Sequence, residues 1–293
     1  MKLRTGALFS TGEALTDRAL RRFFAKKPYL VYKEFPLRRV IDVAENELSR
    51  GEWDYYTKAT FDFIVCNRKD EQTFEIAFEF DGKQHRLAKQ ARKDALKDRL
   101  CLQVRLPLLR VQSAYVEPLE DLTLLEYMLD LFFGEREMEE LKRRGEVAEE
   151  EEYFIGTGFP ATDRVIKRLL QKGICPAGFM AFVENRYGPN DAHKIIWFRT
   201  SDKTLSKAPQ KGSGYHIYSA SSEVEVFGGH DLDEPLLKIE KEVSLKECSP
   251  NQNVLGIHAW HLALELATYL AMAELEKLAD RLGRRLRTHG RAQ

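Results

Sequence analysis

"FEIAFEFDGKQH" runs from Phe74 to His85. Phe74, Ile76, Phe78 and Phe80 alternate with Glu75, Ala77, Glu79 and Asp81, and a period of two marks a β-strand. Successive side chains point to opposite faces. The four apolar residues therefore line one face, while Glu79 and Asp81 share the other at the strand's end. "ATFDFIVC", residues 59–66, reads the same way, with Phe61, Phe63 and Val65 on one face and Asp62, Ile64 and Cys66 on the other. The polar segment "NRKDEQT", residues 67–73, joins the two strands. In a simple antiparallel hairpin centred on it, paired residue numbers sum to about 141, so Asp62 falls opposite Glu79. Directly opposed side chains have Cβ atoms about 4.5–5.5 Å apart. Asp81 stands two residues further along the same face, so three carboxylates are expected to converge at one end of the hairpin.

Like charges brought together raise one another's cost, more so where water is partly excluded. A hard divalent cation offsets that cost, because Mg²⁺ takes oxygen ligands and keeps waters for a substrate phosphate. The competing reading is a solvated strand end whose acids face water or pair with Lys and Arg. The next segment bears on the choice. From Lys83 to Arg110 the basic residues are Lys83, Arg86, Lys89, Arg92, Lys93, Lys97, Arg99, Arg105 and Arg110. These nine stand against two acids, Asp94 and Asp98, leaving a local charge of +7 in a chain whose net charge is zero. A basic helix beside an acidic strand end suits a metal site that must receive a polyanion, since phosphate contacts come mainly from Lys and Arg. An ordinary solvated helix face is the alternative. Asp94 and Lys97 lie three apart on one helical face and could equally form a surface ion pair.

Asp-Phe at Asp62, then "FEFDGKQH", "RKDALKDRL" and "LPLLRV", in this order and spacing, resemble the restriction-endonuclease-like PD-(D/E)XK nuclease superfamily. The nearest likeness is the branch related to very-short-patch-repair endonucleases, which includes an uncharacterised bacterial group. The resemblance covers Glu13 to Arg110. It implies a mixed sheet flanked by helices, with Mg²⁺ or Mn²⁺ at the splayed end of the hairpin. Asp62 then corresponds to the metal-bridging aspartate, Glu79 to the second carboxylate, and Glu13 to an acid that helps place metal or water. His85 corresponds to the histidine closing the Asp-Gly segment, with acid–base chemistry open to it near neutral pH. The superfamily's usual Lys, two residues after the Glu, is Asp81 here, and Lys83 or Lys97 could supply the cation instead. The resemblance implies phosphodiester hydrolysis in nucleic acid, DNA before RNA. Asp62, Glu79, Asp81, His85 and Lys97 would form the catalytic set, and Lys83, Arg86, Lys89, Arg92 and Lys93 the nucleic-acid contacts. The missing Lys motivates the alternative of a degenerate nuclease fold that binds nucleic acid or a protein partner without cutting.

The wider composition is compatible with either. The chain has 293 residues, 43% hydrophobic and 31% charged, enough for two ordinary domains. Cys66, Cys101, Cys175 and Cys248 form no CxxC pair, which argues against a cysteine zinc site. No run suits a signal peptide or a membrane span, so a cytoplasmic protein is expected.

"GEREMEELKRRGEVAEEEE", Gly134 to Glu152, is almost wholly charged and divides the chain into domains at 1–148 and 149–293. In the first, the patterning predicts helices at 12–26, 87–103 and 120–133, and strands at 30–34, 38–43, 60–66, 74–81 and 107–111. In the second it predicts a helix at 161–172, strands near 178–184, 193–199, 215–219, 223–227 and 236–240, and a closing helix at 256–288. The expected class is α+β, a sheet between helices with a second α+β domain. Tyr187, Trp197, Tyr215 and Tyr218 are candidates for base stacking, though strand aromatics are more often core. His258 and His261 are three apart and could share a face as a metal pair, with helix packing or capping as the alternative. The apolar closing helix should cover a core or pair with a second copy of the chain, and its arginine-rich end suits either a nucleic-acid backbone or a helix C-terminus.

Overall fold

The computed structural model describes residues 10–69, 73–81, 88–150, 159–177, 196–209, 216–228, 234–246 and 259–289. The expected strand at 178–184 lies outside them, as do Tyr187, Tyr215 and His258. The class is α+β, built as two compact units, the first on the chain up to Tyr153 and the second on most of the chain after Tyr153.

The first unit begins with helix α1 (Thr11–Phe24), whose N-terminus is fixed by a capping box. Glu13 N–H donates to Ser10 Oγ, and Ser10 N–H donates back to the Glu13 carboxylate. Strand β1 (Tyr29–Pro36) comes next. Helix α2 (Arg50–Tyr56) starts with a second capping box, Ser49 with Glu52. Strands β2 (Thr60–Asn67) and β3 (Phe74–Phe80) form the central hairpin. Helix α3 (Ala88–Gln103) crosses to strand β4 (Leu108–Val111). The sheet order is β1-β2-β3-β4, antiparallel through the first three strands and parallel between β3 and β4. β2 and β3 are buried on both faces, which is why their "polar" face carries Ile64, Cys66 and Ala77 as well as acids. Leu96, Leu100 and Cys101 of α3 join those three in one hydrophobic cluster. Burial pushes the Cys101 thiol up to about 12, so it is inert packing.

A β-bulge interrupts the hairpin. Val65 pairs with Ile76 but Cys66 pairs with Phe74, leaving Glu75 as the extra residue. Bulges re-aim side chains. Glu75, expected on the face of Glu79, instead takes Arg136 of a later helix at 2.9 Å. The expected strand at 38–43 is also absent; a 3₁₀ turn, Leu37–Arg39, ends β1, with Ile41 N–H closing onto Leu37 O.

After a short helix α4 (Ser113–Val116) and a two-residue ladder of β5 (Pro118–Leu119) with β6 (Leu122–Thr123), helix α5 spans Leu124–Arg143. Its Thr123–Glu126 capping box sets the start later than expected. Its end lies ten residues beyond the sequence-based expectation, because "EREMEELKR" is made of strong helix formers. Gly145, at φ 70°, terminates it: Glu146 N–H reaches Leu141 O and Gly145 N–H reaches Lys142 O. This is the Schellman pattern that needs a left-handed residue. Residues 148–150 beyond it are exposed. Trypsin should therefore cut first after Arg143 or Arg144, whose side chains are 70% and 53% exposed. Gel mobility and N-terminal sequencing check this; first cleavage within β2 or β3 would count against it.

In the second unit, helix α6 (Pro160–Gln171) packs on the closing helix α7 (Ala259–His289). Glu265 of α7 accepts from Phe159 N–H at the start of α6, and Arg168 pairs with Glu276 at 2.7 Å. His261 also meets Glu265, at 3.2 Å. Strand β7 (Ile174–Pro176) lies parallel to β8 (Ile196–Pro209), with β9 (His216–Gly228) and β10 (Leu237–Lys246) next in the sheet. The two strands expected at 215–219 and 223–227 are one continuous strand, β9. Tyr218, on β9, has the Lys207 ammonium 5.5 Å from its ring centroid.

Candidate active site at the end of the central hairpin

Phe63 pairs with Phe78 and Ile64 with Ala77, so the next step of the register sets Asp62 opposite Glu79. The two strands are tied there by side chains. Asp62 Oδ2 accepts from Phe80 N–H at 2.7 Å, and Asp62 N–H donates to Glu79 Oε1 at 3.4 Å. On the other edge of β2 the pairing passes from Lys33↔Phe63 to Phe35↔Phe61, skipping Glu34 and Asp62. Glu34 has φ 51°, so the sheet is distorted opposite Asp62. Gly12 of α1 packs against the ring of Phe80 so closely that a Cβ would sit 1.8 Å from its Cζ. The start of α1 thus abuts the end of β3.

Lys97 enters from α3. Its Nζ donates to Glu79 Oε1 at 2.6 Å and to Thr60 O at 2.8 Å, and lies 5.4 Å from the ring centroid of Phe61. Glu79 is 7% exposed and Lys97 4%. Burial raises the Glu79 pKa; Lys97 opposes the rise and the Asp62 charge adds to it. Burial works against the Lys97 ammonium, but the attraction of Glu79 and, after it, Tyr55 outweighs burial and raises its pKa. Lys97 therefore stays charged beside the two acids.

The remaining candidates from the sequence are more dispersed. Asp81 continues β3 by donating its N–H to Val111 O at 2.7 Å. Among the described residues no three His, Cys, Asp or Glu side chains gather where they could hold a metal. Asp62 and Glu79 are tied directly, and Asp81 follows them on β3 without completing a three-ligand metal group among the described residues. Glu13 likewise does not join them, and its carboxylate caps α1. Asp94 pairs with Arg110, not with Lys97. Arg92 is exposed, and Lys93 sits 5.7 Å from the Tyr55 ring centroid. Lys89 lies on α3, but its side chain falls outside the described residues, as do Lys83, His85 and Arg86 altogether.

Two contributors carried no role in the sequence-based expectation. Tyr55 of α2 is partly buried and shares the electrostatic environment of Lys97, Glu79, Asp94 and Arg110; burial is the main cause of its raised pKa. Arg110 pairs in register with Glu79 and is 1% exposed. A lone arginine in the apolar strand "LLRV" was the signal for it, since a buried charge demands partners.

No curated protein and no solved structure matches the chain. A family model described as a protein of unknown function (DUF2726) matches residues 5–123, a span that contains Asp62, Glu79, Lys97 and Arg110. Over that span the chain is similar to a family whose activity is not assigned.

Proposed function

We propose that the chain is a metal-dependent phosphodiesterase that hydrolyses nucleic acid, DNA before RNA. The observation that carries the reading is the gathering of Asp62, Glu79 and Lys97 at one end of the central hairpin. The order α1, three antiparallel strands, α3 and a parallel fourth strand supports a restriction-endonuclease-like core. Mg²⁺ is commonly held by one or two carboxylates plus waters and substrate phosphate, so the Asp62–Glu79 pair fits it. When bound, Mg²⁺ or Mn²⁺ supplies a more acidic water and neutralises phosphate charge. Asp62 and Glu79 are the residues that would hold it. Lys97 contributes a fixed positive charge beside them, where charge grows on a phosphoryl oxygen. The exposed Arg92, with Lys93, offers α3 contacts to a phosphate backbone.

One observation favours a second reading, a nuclease-fold module that binds without cutting. The Glu79 carboxylate already has a cationic partner at 2.6 Å. Incubation with labelled DNA and RNA panels in Mg²⁺, Mn²⁺ and EDTA separates the two. Cleavage in either metal and none in EDTA is the expected result; retention of nucleic acid without cleavage under every condition would establish the binding module. Among the described residues no helix is long and apolar enough to cross a membrane. A pairing of two chains through α7 remains part of this proposal, although α7 already packs on α6 of its own chain.

A further inference from the structure

Arg110 is the largest of the fully buried side chains among the described residues, and the hydrolytic chemistry above gives it no task. Its guanidinium holds one face of α3 at two consecutive turns. Nη2 donates to Asp98 Oδ1 at 2.6 Å and to the Asp94 carbonyl at 3.3 Å, while Nη1 reaches Asp94 Oδ1 at 3.5 Å. Asp94 and Asp98 are four apart, so they stack on one helical face, and Lys97, three after Asp94, flanks that face. Arg110 is also the register partner of Glu79, the carboxylate that Lys97 meets. The strand pair β3–β4 thus grips α3 twice, through Lys97 on Glu79 and through Asp94 and Asp98 on Arg110.

We infer that Arg110 is a positioning residue that sets the rotation and height of α3, and through them holds the Lys97 ammonium against Glu79. The inference deepens the catalytic reading by naming what places Lys97, and rests on it for the importance of that placement. A guanidinium is suited to the task, because its planar fork fixes two acceptors at once where an ammonium fixes a point.

The test reads the position of Lys97 without using activity. The full-length protein is acetylated with an N-hydroxysuccinimide ester, and modification at Lys97 is tracked by peptide mass spectrometry. In the native protein Lys97 should be protected. In Arg110→Lys its labelling should rise by about tenfold or more, the change produced by a local opening made ~1.4 kcal/mol easier. Asp98→Asn, a milder change that leaves the Asp94 contacts, should give a smaller rise and serves if Arg110→Lys does not fold. Tyr56→Phe is the control. It removes a buried hydrogen bond to Ile41 O within the same hydrophobic cluster without touching the grip, and should leave Lys97 protected. Unchanged Lys97 labelling in both Arg110→Lys and Asp98→Asn would overturn the inference, as would an equal rise in Tyr56→Phe. Absence of metal-dependent cleavage in the native protein would sink the catalytic reading alone, because the labelling result does not depend on it.

Discussion

Lys97→Met should destabilise the protein by about 3–5 kcal/mol at neutral pH, the cost of leaving one member of a buried ion pair uncompensated. Glu79 is 7% exposed, and Asp62 stands beside it, so the carboxylate has little water to replace the Lys97 ammonium and a second negative charge at hand. Glu79→Gln placed in the Lys97→Met background should recover most of the loss, because removing both charges removes the desolvation problem. The loss should also depend on pH, with a definite sign. Glu79 in the folded protein already titrates above its ordinary 4.5, chiefly through burial, and losing Lys97 raises it further. A raised carboxyl contributes stability that is full below the unfolded value and lost as pH rises through the folded one. The deficit of Lys97→Met should therefore be smallest near pH 5 and grow toward pH 8. Urea unfolding across that range measures it. A deficit that is flat in pH, with no recovery from Glu79→Gln, would mean that Lys97 acts through its hydrocarbon stem and not through its charge.

The hairpin was legible because the signals agreed. Two alternating strands and a polar loop allow one register that puts both phenylalanine rows on one face, and a one-residue slip would have set Phe63 and Phe78 on opposite faces. The opposition of Asp62 and Glu79 comes from that register alone. The placement of Glu75 does not, because a bulge is decided by the local twist and by the partner waiting on α5, Arg136, which is distant in sequence. The same distance hid the partner of Lys97. Spacing along α3 shows that Asp94 and Lys97 share a face, but not which of two adjacent strands each meets. For Asp81, alternation gives its face, but not that its N–H continues the ladder onto Val111 O of β4. Helix α2 escaped notice because "RGEWDYY" is a single short run of aromatics, held by its Ser49–Glu52 cap more than by periodicity. The charged stretch after Gly134 reads as linker by charge and as helix by propensity, and up to Arg143 propensity prevails.

Asp62→Asn should separate catalysis from architecture with the largest effect of all. Asn presents an amide oxygen where Asp62 Oδ2 accepts from Phe80 N–H, so the tie between the strand ends can persist. It also removes one of the charges that raise the pKa of Glu79. The metal-free stability of Asp62→Asn should hold or increase. Mn²⁺ or Mg²⁺ at a hundredfold excess over Kd should add roughly 2.7 kcal/mol to the native protein, a rise of about 5–10 °C in the melting of the first unit. In Asp62→Asn that rise should shrink to little or nothing. Hydrolysis of nucleic acid should fall by about 10²–10³-fold or more, the loss typical when one preorganised charge contact is removed from a reacting phosphate or carbonyl. Calorimetry with and without cation, beside the cleavage assay, reads all three quantities on the same two proteins. A destabilised Asp62→Asn, together with cation that moves neither melting curve, would make Asp62 a structural tie between β2 and β3. The distortion at Glu34 would then be a consequence of that tie, and the site would hold nucleic acid or a partner without metal.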